Sequence, residues 1–260
     1  MKVSIFRKSD VGQIRSKNED NYAIIRGKNA ETATSVDLVS WTKLSLRGEG
    51  LFISAIDGMG GSAGGQVASE SIAKYIIENW PELKMEKPKK LPVVALEKAN
   101  LSLHHLSLSN PELSKMGAVA TCCYLYGTSA YGAQVGDSRL YLFRENELTQ
   151  ISEDQTFVSN LVRMGKITPK EAESHPKRNV VSQALGPGNS VKPADFKFKM
   201  KPGDKILVCS DGLHGLVSTK DIQNVLSSTQ GEETVNLLIK QANGQGGTDN
   251  ITVIIAEISA

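Results

Sequence analysis

A chain of 260 residues can form one large domain or two small ones around a real apolar core, which excludes a scaffold held only by disulfides or a metal. Its 30 Lys+Arg and 28 Asp+Glu leave a net charge of +2, so charge does not call for nucleic acid, and 40% hydrophobic with 22% charged residues is globular composition. Three cysteines, two of them adjacent at Cys122 and Cys123, give neither an even disulfide framework nor a CxxC pair. A reducing compartment is the simpler expectation, without structural zinc. The opening MKVSIFRKSD has no apolar h-region, and runs such as LFISAI fall far short of the ~20 residues of a membrane helix. The expectation is a cytoplasmic protein with no membrane segment.

In chain order, strand patterns run over Val3 to Phe6, Asn21 to Ile25 and Leu51 to Ile56. Helical periodicity follows over Gly65 to Asn79 and Val93 to Leu108, separated by a solvated loop at Lys84 to Lys90. Strands return at Val119 to Tyr126, Ser129 to Val135, Leu140 to Arg144, Asp195 to Phe198 and Lys205 to Cys209. A second helical pair, Asp221 to Leu226 and Val235 to Gln241, precedes a last strand at Ile251 to Ile255. Strands clustered in runs, some joined by hairpin-length turns such as YGTS and GDS, predict antiparallel sheets, not βαβ alternation. The expected fold class is α+β: a sandwich of two packed antiparallel sheets flanked by pairs of helices, four layers in the order α-β-β-α. Glu153 to Leu185, polar and punctuated by Pro169, Pro176 and Gly186, reads as an inserted flap. No repeat and no long linker divides the chain, so residues 1–260 are expected to form a single domain.

Three aspartates stand at the edges of apolar runs. Asp57-Gly58 follows LFISAI, Asp211-Gly212 follows KILVCS, and Asp249 precedes ITVII. An isolated Asp-Gly pair is commonly a hairpin turn. Here Asp57 leads into the glycine-rich GMGGSAGG and a helix, and Asp211 into GLHGLVSTKDI, so neither pair closes a hairpin. Carboxylates on rigid strand ends suit hard divalent cations, magnesium or manganese, better than zinc. His104, His105, His175 and His214 form no metal-ligand motif. The glycine loop lacks the GK[ST] of a phosphate-binding P-loop. Its GxGxxA through Gly58, Gly60 and Ala63 is not followed by the acidic strand end of a dinucleotide fold, since that place holds IIENW. Arg15, within DVGQIRSKNEDNY and followed by Glu19 and Asp20, has the guanidinium shape that grips phosphate oxygens, against the alternative of a solvated loop.

Taken together, RSKNED (15–20), AIDGMGGSAGG (55–65), VGDSRLY (135–141), HPKRNVVSQALG (175–186), CSDGL (209–213) and GGTDNIT (246–252) resemble the metal-dependent protein phosphatases of the type 2C family, bacterial branch. The motifs keep family order and span Asp10 to Ile255. The resemblance implies hydrolysis of phosphoserine and phosphothreonine monoesters by direct attack of a metal-bridging water, without a phosphoenzyme. It implies two manganese or magnesium ions. Asp57 would bridge them, the Gly58 carbonyl would complete one, and Asp211 and Asp249 would hold the other. Arg15 would bind phosphate, Asp20 would act through bound water, and Asn250 would orient Asp249. Asp137 would hold a third, weaker ion, against the alternative of a hairpin aspartate. The flap would select substrate. The implied partners are phosphorylated proteins produced by a serine/threonine kinase, with a monomeric enzyme and neither nucleic acid nor membrane as partner.

The sequence departs from the family pattern at Met59 and Ser62, where histidines occur in relatives, and at Gln155, where a histidine often follows the aspartate. No general acid is therefore assigned. Ala30 to Gly50, with Trp41, carries no family signature and reads as a local elaboration or a partner surface. Cys122, Cys123 and Cys209 lie in apolar strands, and core packing is their expected role. Two rival functions are a non-catalytic pseudophosphatase that retains the fold as a binding module, and a hydrolase of small phosphoesters or phosphodiesters. Retention of Arg15, Asp57, Asp211 and Asp249 weighs against the first.

Overall fold

The computed structural model describes residues 1–34, 41–60 and 64–260. Ser62 and Ala63, singled out above, lie outside the described residues, as does the middle of the 30–50 stretch. In chain order the elements are β1 (Lys2–Asp10), β2 (Asp20–Arg26), β3 (Asn29–Thr32), β4 (Leu44–Ser45), β5 (Leu51–Met59), α1 (Gly64–Glu78), α2 (Trp80–Leu83) and α3 (Leu91–Ser109). There follow β6 (Gly117–Tyr126), β7 (Ser129–Val135), β8 (Arg139–Arg144), β9 (Glu147–Gln150), α4 (Phe157–Arg163), α5 (Pro169–Glu173), β10 (Ala194–Lys199) and β11 (Lys205–Cys209). The chain continues through α6 (Asp211–His214), α7 (Thr219–Ser228), α8 (Gly231–Gly244) and β12 (Ile251–Ser259).

Among the described residues the strands form two six-stranded antiparallel sheets, ordered β4-β1-β12-β11-β8-β9 and β10-β7-β6-β5-β2-β3. Strand periodicity explains why both pack. In β5, Leu51, Ile53 and Ala55 face the opposing sheet, where Val208 of β11 and Ile254 of β12 meet them. The alternate residues Phe52 and Ile56 face α1 and α3. In β12, Ile254, Ala256 and Ile258 point into the sandwich, whereas Ile251, Val253 and Ile255 meet α7 and α8. Strands covered on both faces read as unbroken apolar runs, which is the pattern of the sequence. The four-layer sandwich predicted above is the architecture observed.

Two expectations change in detail, and five short elements add to the sequence reading. The GDS turn does not make a hairpin: β7 and β8 belong to different sheets, so residues 136–138 carry the chain from one sheet to the other. The LFISAI strand does not end at Asp57 but continues to Met59, because β6 pairs with it through Gly117. Finally, β3, β4, β9, α2 and α6 are too short to leave a periodic signature.

The unassigned 30–50 stretch is anchored inward at both described ends. Trp41 is 1% exposed in the inter-sheet core, and its indole N–H donates to Glu31 Oε2 at 2.7 Å. Glu31 also accepts from Arg7 Nε at 2.7 Å and from the Tyr22 hydroxyl at 3.0 Å. Trp41 is therefore a core residue, not a partner contact. A buried carboxylate shared by three donors is costly to delete, because the donors lose their partner without regaining water. Glu31→Ala is expected to destabilise the fold by about 3–5 kcal/mol, to be read from urea unfolding monitored by tryptophan fluorescence. A loss below about 1 kcal/mol, the range of an exposed ion pair, would contradict this role.

Candidate active site

The site lies at one end of the sandwich, where strands from both sheets terminate. Register brings Asp20 of β2 opposite Asp57 of β5. From the other sheet come Asp211, the first residue of α6 after β11, and Asp249, just before β12. Asp137 joins them from the inter-sheet turn, so that Asp20, Asp137, Asp211 and Asp249 all raise the proton affinity of Asp57. Five aspartates separated by up to 229 positions in sequence thus converge.

Their protonation follows from this crowding. Loss of surrounding water, then repulsion from Asp20 and Asp211, lifts Asp57 well above the usual carboxylate range. Burial pushes Asp20 up to about 7, opposed by hydrogen bonds from Ser210 and Thr252. Asp137 is pushed up to about 7 by burial and then by Asp211. Asp211 is raised by desolvation and by Asp249, while a hydrogen bond with Asp57 works the other way. Among the described residues, no three His, Cys, Asp or Glu side chains close into a compact metal cage. The aspartates instead form an open acidic group. An all-oxygen donor set, in which burial and mutual repulsion raise the proton affinity of Asp20, Asp57, Asp137 and Asp211, is chemically matched to hard divalent cations, and offers zinc neither sulfur nor histidine.

The loop that carries Arg15 docks on the loop that carries Asp249. Gln13 and Ile14 N–H groups donate to the Gly247 carbonyl at 2.8 and 3.3 Å. A side chain at Gly12, whose φ is +80°, would meet the Asp249 carbonyl at 2.3 Å. This close approach lets Arg15 Nη2 donate to Asp249 Oδ2 at 2.8 Å. Asn250 fastens the same region. Its side chain accepts from the Glu19 N–H at 2.8 Å and donates to the Val11 and Lys17 carbonyls at 2.9 Å each. Its contact with Asp249 is through the backbone, N–H to Oδ1 at 2.9 Å.

Gly58 is required sterically. A Cβ there would lie 2.0 Å from the Gly65 carbonyl oxygen and 2.7 Å from that of Glu19, both backbone atoms that cannot swing away. Gly58→Ala is expected to cost about 3 kcal/mol through backbone displacement, measured as a shift in the urea midpoint; an unshifted midpoint would show that α1 can retreat freely from β5.

Several functional neighbours carry no sequence signal strong enough to single them out. Ser210 Oγ donates to Asp20 Oδ2 at 2.6 Å and accepts the Thr252 N–H at 2.9 Å, tying the two sheets together at the site. Arg139 makes a forked contact with Asp154, 2.9 Å from Nε to Oδ1 and 2.6 Å from Nη2 to Oδ2. His214 reaches the Asp137 carbonyl with Nε2 at 3.1 Å. Burial and then Arg139 lower its pKa to about 3, so the imidazole is neutral at pH 7 and Nε2 is the donor. The i,i+3 spacing from Asp211 to His214 was the available clue, since it puts both on one side of a helical turn. His104 lies away from the aspartates, with Nδ1 2.9 Å from the Gly186 carbonyl oxygen, and His175 packs on Phe157. The three cysteines are buried thiols, each with its pKa raised by burial.

Beside the aspartates opens a cleft of about 660 Å³. Asp137, Asp211 and His214 form its inner wall, and Val158, Arg163 and Ala172 of the flap its outer wall.

The profile described as Protein phosphatase 2C matches residues 15–160. The chain belongs to the protein phosphatase 2C family. It is 31% identical over 255 residues to "Serine/threonine phosphatase stp" of Listeria welshimeri, an alignment covering 96% of this chain and 94% of that one. It is also similar to the crystal structure of the Mycobacterium tuberculosis serine/threonine phosphatase PstP/Ppp, with a TM-score of 0.82 and 32% identity over 100% of both chains. A second crystal structure, of the PstP catalytic domain in complex with two manganese ions, matches with a TM-score of 0.78 and 32% identity, covering 100% of this chain and 99% of that one.

Proposed function

We propose that this chain is a divalent-cation-dependent protein phosphatase that hydrolyses phosphoserine and phosphothreonine monoesters. The observation that carries the reading is the convergence of Asp20, Asp57, Asp137, Asp211 and Asp249 beside Arg15 and an open cleft. Family membership and the names of the relatives support the same chemistry.

Asp57 with the Gly58 carbonyl, Asp211 and Asp249 would hold two manganese or magnesium ions, with Asp137 available to a third. When bound, the pair supplies a water activated near neutral pH and neutralises charge on the phosphoryl oxygens. The protein's own groups do the rest. Arg15 turns its fork from Asp249 to the incoming phosphate, held within reach by the docking of its loop on Gly247. Asp20, held by the Ser210 hydroxyl, would accept a hydrogen bond from water in the site. Asn250 holds the Arg15 loop and Glu19 in register. Neutral His214 steadies the Asp137 turn through its Nε2–H.

The flap, residues 153–185, faces the cleft with Val158, Val162, Pro169 and Ala172, apolar surface suited to a peptide flanking the phosphoresidue. We place the enzyme in the cytoplasm, opposite a serine/threonine kinase, as a monomer of one domain. The chain crosses repeatedly between the two sheets, so neither sheet is a separable segment. Among the described residues no helix is long and apolar enough to cross a membrane.

The test is phosphate release from a phosphothreonine peptide, in chelator and after manganese or magnesium is restored, with a nucleotide diester as comparison. Release from the peptide only with metal is expected. Faster hydrolysis of the diester would move the protein to small-ester chemistry, and no release with any metal would leave a binding module.

A further inference from the structure

Gln155, the residue that departs from the family's usual histidine, joins the flap to the Asp137 turn. Its side-chain Oε1 accepts the N–H of Gly136, next to Asp137, at 2.9 Å. Its backbone N–H donates to the Gly136 carbonyl at 2.9 Å, and its carbonyl accepts the N–H of Ser182 on the returning arm of the flap at 2.7 Å. One residue thus grips both sides of Gly136 and the far arm of the flap. The two arms are further clasped at Phe157 N–H to Val180 O, 2.7 Å, and the exit of the flap is pinned to β6 by reciprocal bonds between Leu185 and Ala118 at 2.8 and 3.0 Å. Between these pins the flap carries only two short helices, the half-buried α4 and the largely exposed α5.

We propose that Gln155 is a positioning residue that latches the flap to the Asp137 turn and so fixes the height of the cleft in which the peptide flanking the phosphoresidue lies. This deepens the phosphatase reading and rests on it. Gly136 is buried, so its N–H has no water to turn to when Oε1 is removed. The latch therefore depends on an acceptor at this position, not on side-chain bulk.

The experiment compares wild type, Gln155→Met, which keeps length without the acceptor, and Gln155→Glu, which keeps the acceptor. The first readout is amide hydrogen exchange of the metal-free full chain. In Q155M, exchange at Gly136, Phe157 and Ser182 is expected to quicken about tenfold while paired β6 and β7 amides stay as in wild type, with Q155E close to wild type. The second is a KM against kcat split: KM for a phosphothreonine peptide rises about fivefold in Q155M, with kcat within about twofold, and Q155E restores it. Unchanged flap exchange in Q155M, a Q155E as fast as Q155M, or a loosened flap with unaltered peptide KM would each overturn the latch. Failure of the phosphatase reading is separately visible as absence of phosphate release by the wild type, while exchange still reports on the latch.

Discussion

Asp57→Ala is expected to lower metal-dependent phosphate release by on the order of 10³-fold or more, equivalent to about 4 kcal/mol of barrier. The same substitution should leave the metal-free fold intact and make it more stable. Asp57 is the centre of the acidic group, and four aspartates raise its proton affinity, so its carboxylate is a source of repulsion whenever no cation is bound. Removing it takes away the proposed metal ligand and relieves that strain together. Melting in chelator should therefore rise by a few degrees, since about 1 kcal/mol moves the midpoint of a chain this long by roughly 2–4 °C. Asp57→Asn should behave alike, which separates loss of charge from loss of volume. Activity surviving in either variant would remove Asp57 from the metal site. A lowered melting point in both would mean that the hydrogen bond between Asp57 and Asp211 outweighs the repulsion.

The metal-free protein should lose stability as pH rises from about 4 to about 7, and added manganese should restore it most at the upper end. The sign follows from the direction of the shifts. Asp20 and Asp137 titrate near 7 in the folded chain and near 3.8 when unfolded. Between those values the folded state holds protons that the unfolded state has released, so stability falls with pH; His214, lowered to about 3, pulls the other way but is one group against four raised aspartates. The buried carboxylates together contribute on the order of 2 kcal/mol or more across the window. A bound ion at 100 times its dissociation constant returns about 2.7 kcal/mol, or roughly 5–10 °C. Thermal melts at pH 5 and pH 7.5, in chelator and in manganese, give the four values needed. The Asp57→Asn variant should show a shallower slope in chelator. An equal manganese effect at both pH values would mean that cation and proton do not compete for these carboxylates.

Both results would come from side chains that were visible in the sequence, and the way they became visible is instructive. Asp57 and Asp211 each sit between an apolar run and a flexible glycine, and that local pattern survives without any knowledge of the partner. The alternation in LFISAI and ITVIIAEI is likewise local, because backbone pleat alone sends successive side chains to opposite faces. The two-sheet, helix-flanked architecture and the aspartates were legible for that reason, and the order of six short motifs carried the family.

Other features depended on contacts between distant segments. Ser210 matters because β2 and β11 meet at the open end of the sandwich, and nothing near residue 210 in sequence announces Asp20. The GDS turn looked like a hairpin because turn chemistry is local, whereas the choice of sheet for β8 is made by pairing with β11. Trp41 looked free to meet a partner until Glu31, Tyr22 and Arg7 closed around it. His214 carried no metal motif, and only its place beside the Asp137 carbonyl gives it a part in the site. Sequence by itself determined the longer strands and helices, the acidic residues and the family, since these rest on backbone periodicity and residue chemistry. Only the tertiary structure decided which charges face one another, which protons they hold and how the flap is tied to them, since electrostatics and hydrogen bonding act through space.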